Sequence, residues 1–219
     1  MSILKPQPKL PIDDSTPHGL SVHPRGPERL KELFHVLIDE IRIAGIDIRP
    51  YLRPGLEPGE VRSHLRSRDL EAPDELVAWF GLFNGVEFGG EKPFLCFPNQ
   101  EFQTLEYGLL TYDEESISPG IGNLPWEWSK PWIRITGGNV GIAVCTDESA
   151  SGMLVRFLDH TQNTQEVSPS YQYVSLCSTI TWLIQHLRNG AIVWNAELRV
   201  WDFKSEKMPA SRRSMGIWL

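Results

Sequence analysis

The sequence is poor in the residues from which catalytic and metal centres are built. Only three of its 219 residues are cysteine, Cys96, Cys145 and Cys177, and no two are close together. Each sits in an apolar run, FLCF, IAVC and SLCSTI, with no CxxC and no Cys/His cluster at zinc spacing. An odd number of scattered cysteines excludes a disulfide framework and points to free, buried thiols in a reducing cytoplasm. No apolar run reaches the length of about 18 residues that a membrane-spanning helix needs. The opening MSILKPQPKLPIDD lacks the apolar stretch of a signal peptide. GxxxxGK[ST], GxGxxG, GxSxG and HExxH are all absent, which removes the sequence grounds for a P-loop, a dinucleotide fold, a nucleophile elbow and a zinc protease. Among six histidines, only Asp159-His160 resembles an acid–base dyad, and adjacent residues at a strand end point to opposite faces. The expectation is a protein with no catalytic residue, no metal and no cofactor.

What is present is ordinary in amount and uneven in position. Hydrophobic residues are 41% and charged residues 22%, which excludes wholesale disorder and leads us to expect a soluble, intracellular, globular chain. The formal charge is -7, unfavourable for non-specific binding to a phosphate backbone. Residues 1–70 carry a net +1 and residues 171–219 a net +3, whereas residues 71–170 hold 4 basic and 15 acidic side chains, net -11. All of the excess acidity therefore lies in the middle. It is either a solvated face or a docking surface for a basic partner.

Residues 1–25, rich in Pro, Ser, Asp and His, read as an N-terminal arm. Gly26-Pro27 opens a helix whose apolar positions, Leu30, Leu33, Phe34, Leu37, Ile38 and Ile41, recur at helical spacing until Gly45. Pro50, Pro54, Gly55, Pro58 and Gly59 break residues 46–59, and a short helix covers 58–67 with Val61 and Leu65 facing in. The next helix opens at Pro73-Asp74-Glu75 and closes at Asn84-Gly85, with Leu76, Val77, Phe80 and Phe83 as its apolar face. Beyond Gly89-Gly90 the pattern predicts strands at Phe94 to Phe97, Trp132 to Ile135, Val140 to Thr146 and Met153 to Leu158. Turns fall at Gly137-Gly138-Asn139 and at Ser149 to Gly152, a frayed helix at Thr104 to Glu115, and a long loop at 116–131. The last helix runs from Ser170, its expected N-cap, to Leu187. Tyr173, Leu176, Cys177, Ile180, Leu183, Ile184 and Leu187 form its stripe, and Asn189-Gly190 is its cap. AIVW and LRVWDF follow as strands, and 204–219 as a C-terminal tail. Helix after helix, then several strands, then a helix is not βαβ alternation. It predicts a single α+β domain over 26–203, with a mixed, mainly antiparallel sheet packed against N-terminal helices and a long C-terminal helix.

Seven of the eight tryptophans follow residue 125. Trp132 and Trp182 read as core, whereas Trp126 and Trp128, flanking Glu127, read as exposed anchors in a loop.

Four segments in order carry a family resemblance. They are the helix PDELVAWFGLFNG (73–85), the Trp-led strand WIRITGGNVGIAVCTDE (132–148), the Gly-led strand SGMLVRFLDH (151–160) and the step VSPSYQYVSLCSTITWLIQHL (167–187). Together they resemble the SUKH superfamily, the bacterial relatives of the fungal Smi–Knr cell-wall regulators. The likeness covers about residues 27–195. The segment 98–131 is longer than the family pattern, and Pro169 stands where a small residue is commoner. The resemblance implies a non-enzymatic α+β domain. Many bacterial members look like immunity proteins that neutralise polymorphic toxins, often nucleases, and fungal members look like regulatory scaffolds. An inhibitor of a basic nuclease gains association rate and selectivity from an acidic face. The contact residues this implies are Asp113, Glu114, Glu115, Trp126, Glu127, Trp128, Asp147 and Glu148. The expected partner is a protein, a toxin domain, with no direct nucleic-acid or membrane contact. Two other readings stay open, a scaffold for cellular proteins and a Trp-rich carbohydrate-binding module.

Overall fold

A computed structural model describes residues 26–87, 100–117, 132–137, 140–147, 155–159, 172–173 and 175–207. The expected N-terminal arm, the strand at Phe94 to Phe97 and the turn at Ser149 to Gly152 lie outside those residues.

The chain is α+β, as its pattern predicts. Helix α1 spans Pro27–Ile43, with Pro27 in its first turn and all six expected apolar positions buried. Helix α2 (Pro58–Arg66) buries Val61 and Leu65, and its start is secured by Glu60, whose carboxylate accepts the Glu57 N–H at 3.0 Å. Helix α3 is Asp74–Leu82. It stops short of Asn84-Gly85, contrary to the expected C-cap there. Phe83 is extended, and Phe83–Val86 forms strand β2, antiparallel to β1 (Leu52–Pro54). The same pairing places a strand inside the Pro/Gly-rich stretch expected to be irregular. Pro54 is tolerated there because it ends a short strand, where a missing N–H matters least.

Strand β3 (Glu101–Phe102) leads into helix α4, Leu105–Ile117, which extends past the expected Glu115. Strands β4 (Trp132–Arg134), β6 (Val140–Cys145) and β7 (Val155–Asp159) follow the expected runs, whereas β5 (Thr136–Gly137) takes Gly137 out of the expected turn because its backbone pairs with β3. Strand β8 is Gln172–Tyr173, and the four-stranded sheet has the order β4-β6-β7-β8. Every strand pair among the described residues is antiparallel.

Helix α5 is Leu176–Arg188, and its N-cap is Ser175, whose Oγ accepts the Ser178 N–H at 3.1 Å. Ser170, the expected cap, lies outside the described residues, and Tyr173 belongs to β8 rather than to the helical stripe. Pairing with β7 holds this segment extended for two residues longer than local pattern predicts. Asn189 and Gly190 close the helix as expected, Gly190 with φ +69°. Strands β9 (Ile192–Asn195) and β10 (Val200–Phe203) form a hairpin in which Trp194 pairs with Trp201. The chain does not then leave as a free tail at residue 204. The Lys204 N–H reaches the Ala191 carbonyl at 2.8 Å, and a short 3-10 turn covers Ser205–Lys207.

The core lies where α1 packs against α3 and α5. Phe34, Trp79, Phe83 and Phe102 interlock at its centre, with Phe34 and Phe83 stacked 4.5 Å apart and Phe83 to Phe102 at 4.9 Å. Such pairs add about 0.5–1.5 kcal/mol each beyond their area burial. Helix α5 is buried on every side from Leu176 to Ile184, and Thr179 and Ser178 are bonded locally there: Thr179 Oγ1 donates to the Ser175 carbonyl at 3.1 Å, and Ser178 Oγ lies 3.1 Å from Ser175 Oγ.

Candidate functional site

Helix α4 carries the densest acidic run of the described residues. Leu105, Gly108 and Leu109 are buried and Tyr112 is half-buried, which is one helical face. Gly108 sits so close to β4 that an added Cβ would lie 2.5 Å from the Arg134 carbonyl oxygen. A side chain there would push the helix off the sheet.

The helix begins on borrowed partners. Buried Asn84 lends its Oδ1 to the Leu105 N–H at 2.8 Å, and Thr104 Oγ1 accepts the Tyr107 N–H at 3.1 Å. The Asn-Gly pair of the 73–85 motif therefore caps the start of α4, 21 residues on, instead of the end of α3. Gly85 has φ +75°, and a Cβ there would meet the Thr104 nitrogen at 2.7 Å. Glu106 lies in the first turn and accepts from Asn84 Nδ2 at 3.3 Å. Burial acts to raise the Glu106 pKa. Hydrogen bonds from its own N–H, from Asn84 and from Thr104 outweigh that, so its carboxyl sits below the usual range.

The opposite face of α4 is exposed. Tyr107 and Leu110 are 48% and 50% accessible, and Glu114 is exposed in line with them, at the spacing of one helical stripe. Asp113, Glu114 and Glu115 crowd the last turns, and no basic residue is there. Acids at a helix C-terminus oppose its dipole, by about 0.3–1 kcal/mol each near the surface. Arg68, just beyond α2, offsets part of this. Its Nε and Nη2 bond Asp113 at 3.0 and 2.8 Å.

Beside the start of α4 lies a pocket of about 450 Å³. Buried Val86 and Phe102 form its apolar floor, and Gln103 and Thr104 contribute its wall. Exposed Arg53, Glu87 and Tyr107 complete its lining.

The expected contact residues are thus distributed unequally. Asp113, Glu114 and Glu115 share α4, within the stretch expected to be a frayed helix. Asp113 is engaged by Arg68, Glu114 is open to solvent, and only the backbone of Glu115 is described. Asp147 is half-buried just after β6, where its carbonyl lies 3.8 Å from Cys145 Sγ. Trp126, Glu127, Trp128 and Glu148 lie outside the described residues. Trp132 and Trp182 are buried, as expected of core. Other acids of the middle segment are spent internally: Asp74 pairs with Arg62 at 2.8 Å, and buried Glu75 accepts backbone N–H groups. Sequence reasoning missed Tyr107, Leu110, Glu87 and Arg53. An apolar residue at 110 out of phase with Leu105 and Leu109 was the available signal for the α4 face.

Cys145 and Cys177 are free and buried, and Cys96 is outside the described residues. Burial, reinforced by the neighbouring Glu75 carboxylate, pushes the Cys177 thiol far above its ordinary range, so it stays protonated. Among the described residues no group of three or more His, Cys, Asp or Glu could hold a metal ion. No described helix is long and apolar enough to cross a membrane.

No protein-family model matches the chain, and comparison with curated proteins finds no match either.

Proposed function

We propose that the chain is a SUKH-like, non-enzymatic binding module that acts in the cytoplasm as an immunity protein, neutralising a basic, nuclease-type toxin domain. One observation carries the protein-binding part of this reading. Helix α4 exposes Tyr107 and Leu110 beside Glu114, and keeps acids in its last turns against its own dipole. Exposed apolar side chains rimmed by charge are the composition of a recognition surface. A helix selected for stability alone would carry Lys or Arg there. The net -11 of residues 71–170 fits a basic partner, and the sequence resemblance supplies the partner class. Free, buried Cys145 and Cys177 suit a reducing compartment.

The test is binding of the purified chain to basic toxin domains encoded beside its gene, by calorimetry and by association rate at low and high salt. The expected result is a complex whose association slows as salt rises. Glu114→Lys slows association, and Leu110→Glu speeds dissociation, by about tenfold each. Both positions are exposed, so unfolding midpoints stay unchanged. Binding to none of these domains, or binding indifferent to both substitutions, overturns the proposal.

A further inference from the structure

The pocket next to α4 holds two charged side chains that are not used internally. Among the described residues, neither the Glu87 carboxylate nor the Arg53 guanidinium has a hydrogen-bond or ion-pair partner. Arg62 and Arg68, by contrast, are each taken by an acid. The Leu105 N–H is held by Asn84, the Tyr107 N–H by Thr104, and the Glu106 carboxylate by Asn84.

That arrangement decides the sign of what fits. A helix N-terminus ordinarily attracts anions through free N–H groups and its dipole. Here two of those donors are occupied, and Glu106 in the first turn already answers the dipole. An anion entering the pocket would find Arg53 alone and would face the open Glu87 carboxylate. A cation finds the open Glu87 carboxylate, and the exposed Tyr107 ring supplies a π-face. The floor of Val86 and Phe102 suits the aliphatic stem of a long basic side chain.

We infer that this pocket receives an arginine side chain projected by the bound protein, with Glu87 pairing its guanidinium and Tyr107 covering its face. Arginine fits better than lysine because its planar fork can pair with a carboxylate and stack on a ring together. The inference rests on α4 as the docking face and names the chemistry that face selects. Tyr107 belongs both to the exposed stripe of α4 and to the lining of the pocket. One partner surface can therefore engage both.

The experiment uses the full chain, labelled with nitrogen-15, and three short peptides, acetyl-Gly-X-Gly amide with X as arginine, citrulline or glutamate. Citrulline keeps the shape of arginine and removes its charge. The arginine peptide is expected to shift the amides of 86–87 and 103–107 saturably, with a millimolar constant. The citrulline peptide binds about tenfold more weakly. Glu87→Gln removes that difference, and Tyr107→Ala weakens the arginine peptide about threefold, whereas Tyr107→Phe does not. All three substitutions are at exposed positions, and unchanged unfolding curves show that they fold. Shifts absent from these amides, equal affinity for arginine and citrulline, or preference for glutamate at Arg53 each overturn the inference. Because the peptides need no toxin, this failure is separable from failure of the proposed function. A toxin that binds through Leu110 and Glu114 while the pocket ignores arginine discards the pocket alone.

Discussion

Glu75 on α3 accepts the Leu176 N–H of α5 at 2.7 Å through Oε2, across 101 residues of chain. Its Oε1 accepts the Gly26 N–H at 3.1 Å, just ahead of α1. One buried carboxylate thus closes the N-terminal ends of two helices and joins the three helices of the core. It is placed where both helix dipoles favour negative charge.

Glu75→Ala is expected to lower unfolding free energy by about 2–4 kcal/mol, since a charged acceptor is lost and two N–H groups are left short of a partner. Glu75→Gln keeps one acceptor oxygen and loses about half of that. Urea denaturation followed by tryptophan fluorescence measures both, with the m-value unchanged. A loss below 0.5 kcal/mol for alanine, small against the range expected for hydrogen bonds to a charged group, would show that water replaces the staple.

Asn84 and Gly85 make a paired prediction. Asn84→Ala removes the cap from α4 and costs about 1–2 kcal/mol. Gly85→Ala is strained by its positive φ and by the approach of Thr104, and costs about 1–3 kcal/mol. Hydrogen exchange should show the added opening concentrated in α4 and β3 rather than in α1.

The Arg188 Nε to Glu40 Oε1 bond, 2.7 Å long, ties the far ends of α5 and α1. Glu40 is 11% and Arg188 23% exposed, so the pair is mostly out of water. Removing one partner should destabilise by about 2 kcal/mol, less than a fully buried pair. Replacing both with leucine should recover much of it, and a double-mutant cycle reads the coupling.

Acid sensitivity has a named contributor at Asp47. Hydrogen bonds from the Arg49 side chain, at 2.6 and 2.8 Å, lead in lowering its pKa from 3.8 to about 2. A folded value below the unfolded one means that the stabilisation is present above 3.8 and lost as pH falls towards 2. Arg49→Gln should return the Asp47 titration, followed by NMR, towards 3.8 and flatten the stability curve in that interval. An unmoved titration would remove the assignment.

Much of the helical frame was legible because its causes are local. Leu30 to Ile41 on α1, and Val61 with Leu65 on α2, repeat at a period that backbone geometry alone imposes. The departures share one physical origin. Phe83 to Val86 and Gln172-Tyr173 each continue or precede a helix by local pattern, yet both lie in strands because a distant partner takes up their backbone hydrogen bonds. Asn84 was assigned to the helix end behind it, since its side chain suits a cap, and nothing in the sequence said which helix it would cap.

The candidate site divides the same way. Composition and order by themselves established the α+β class, the surplus of acid between 71 and 170, and the lack of motifs for nucleotide, zinc or hydrolase chemistry. Only the tertiary structure decided which of those acids remain for a partner. Arg62, Arg68 and the N–H groups of Gly26 and Leu176 engage Asp74, Asp113 and Glu75, leaving Glu87 and Glu114 open. The reason is distance along the chain. A charge is a property of one residue, whereas its neutralisation depends on a neighbour that folding brings from 12 to 101 positions away.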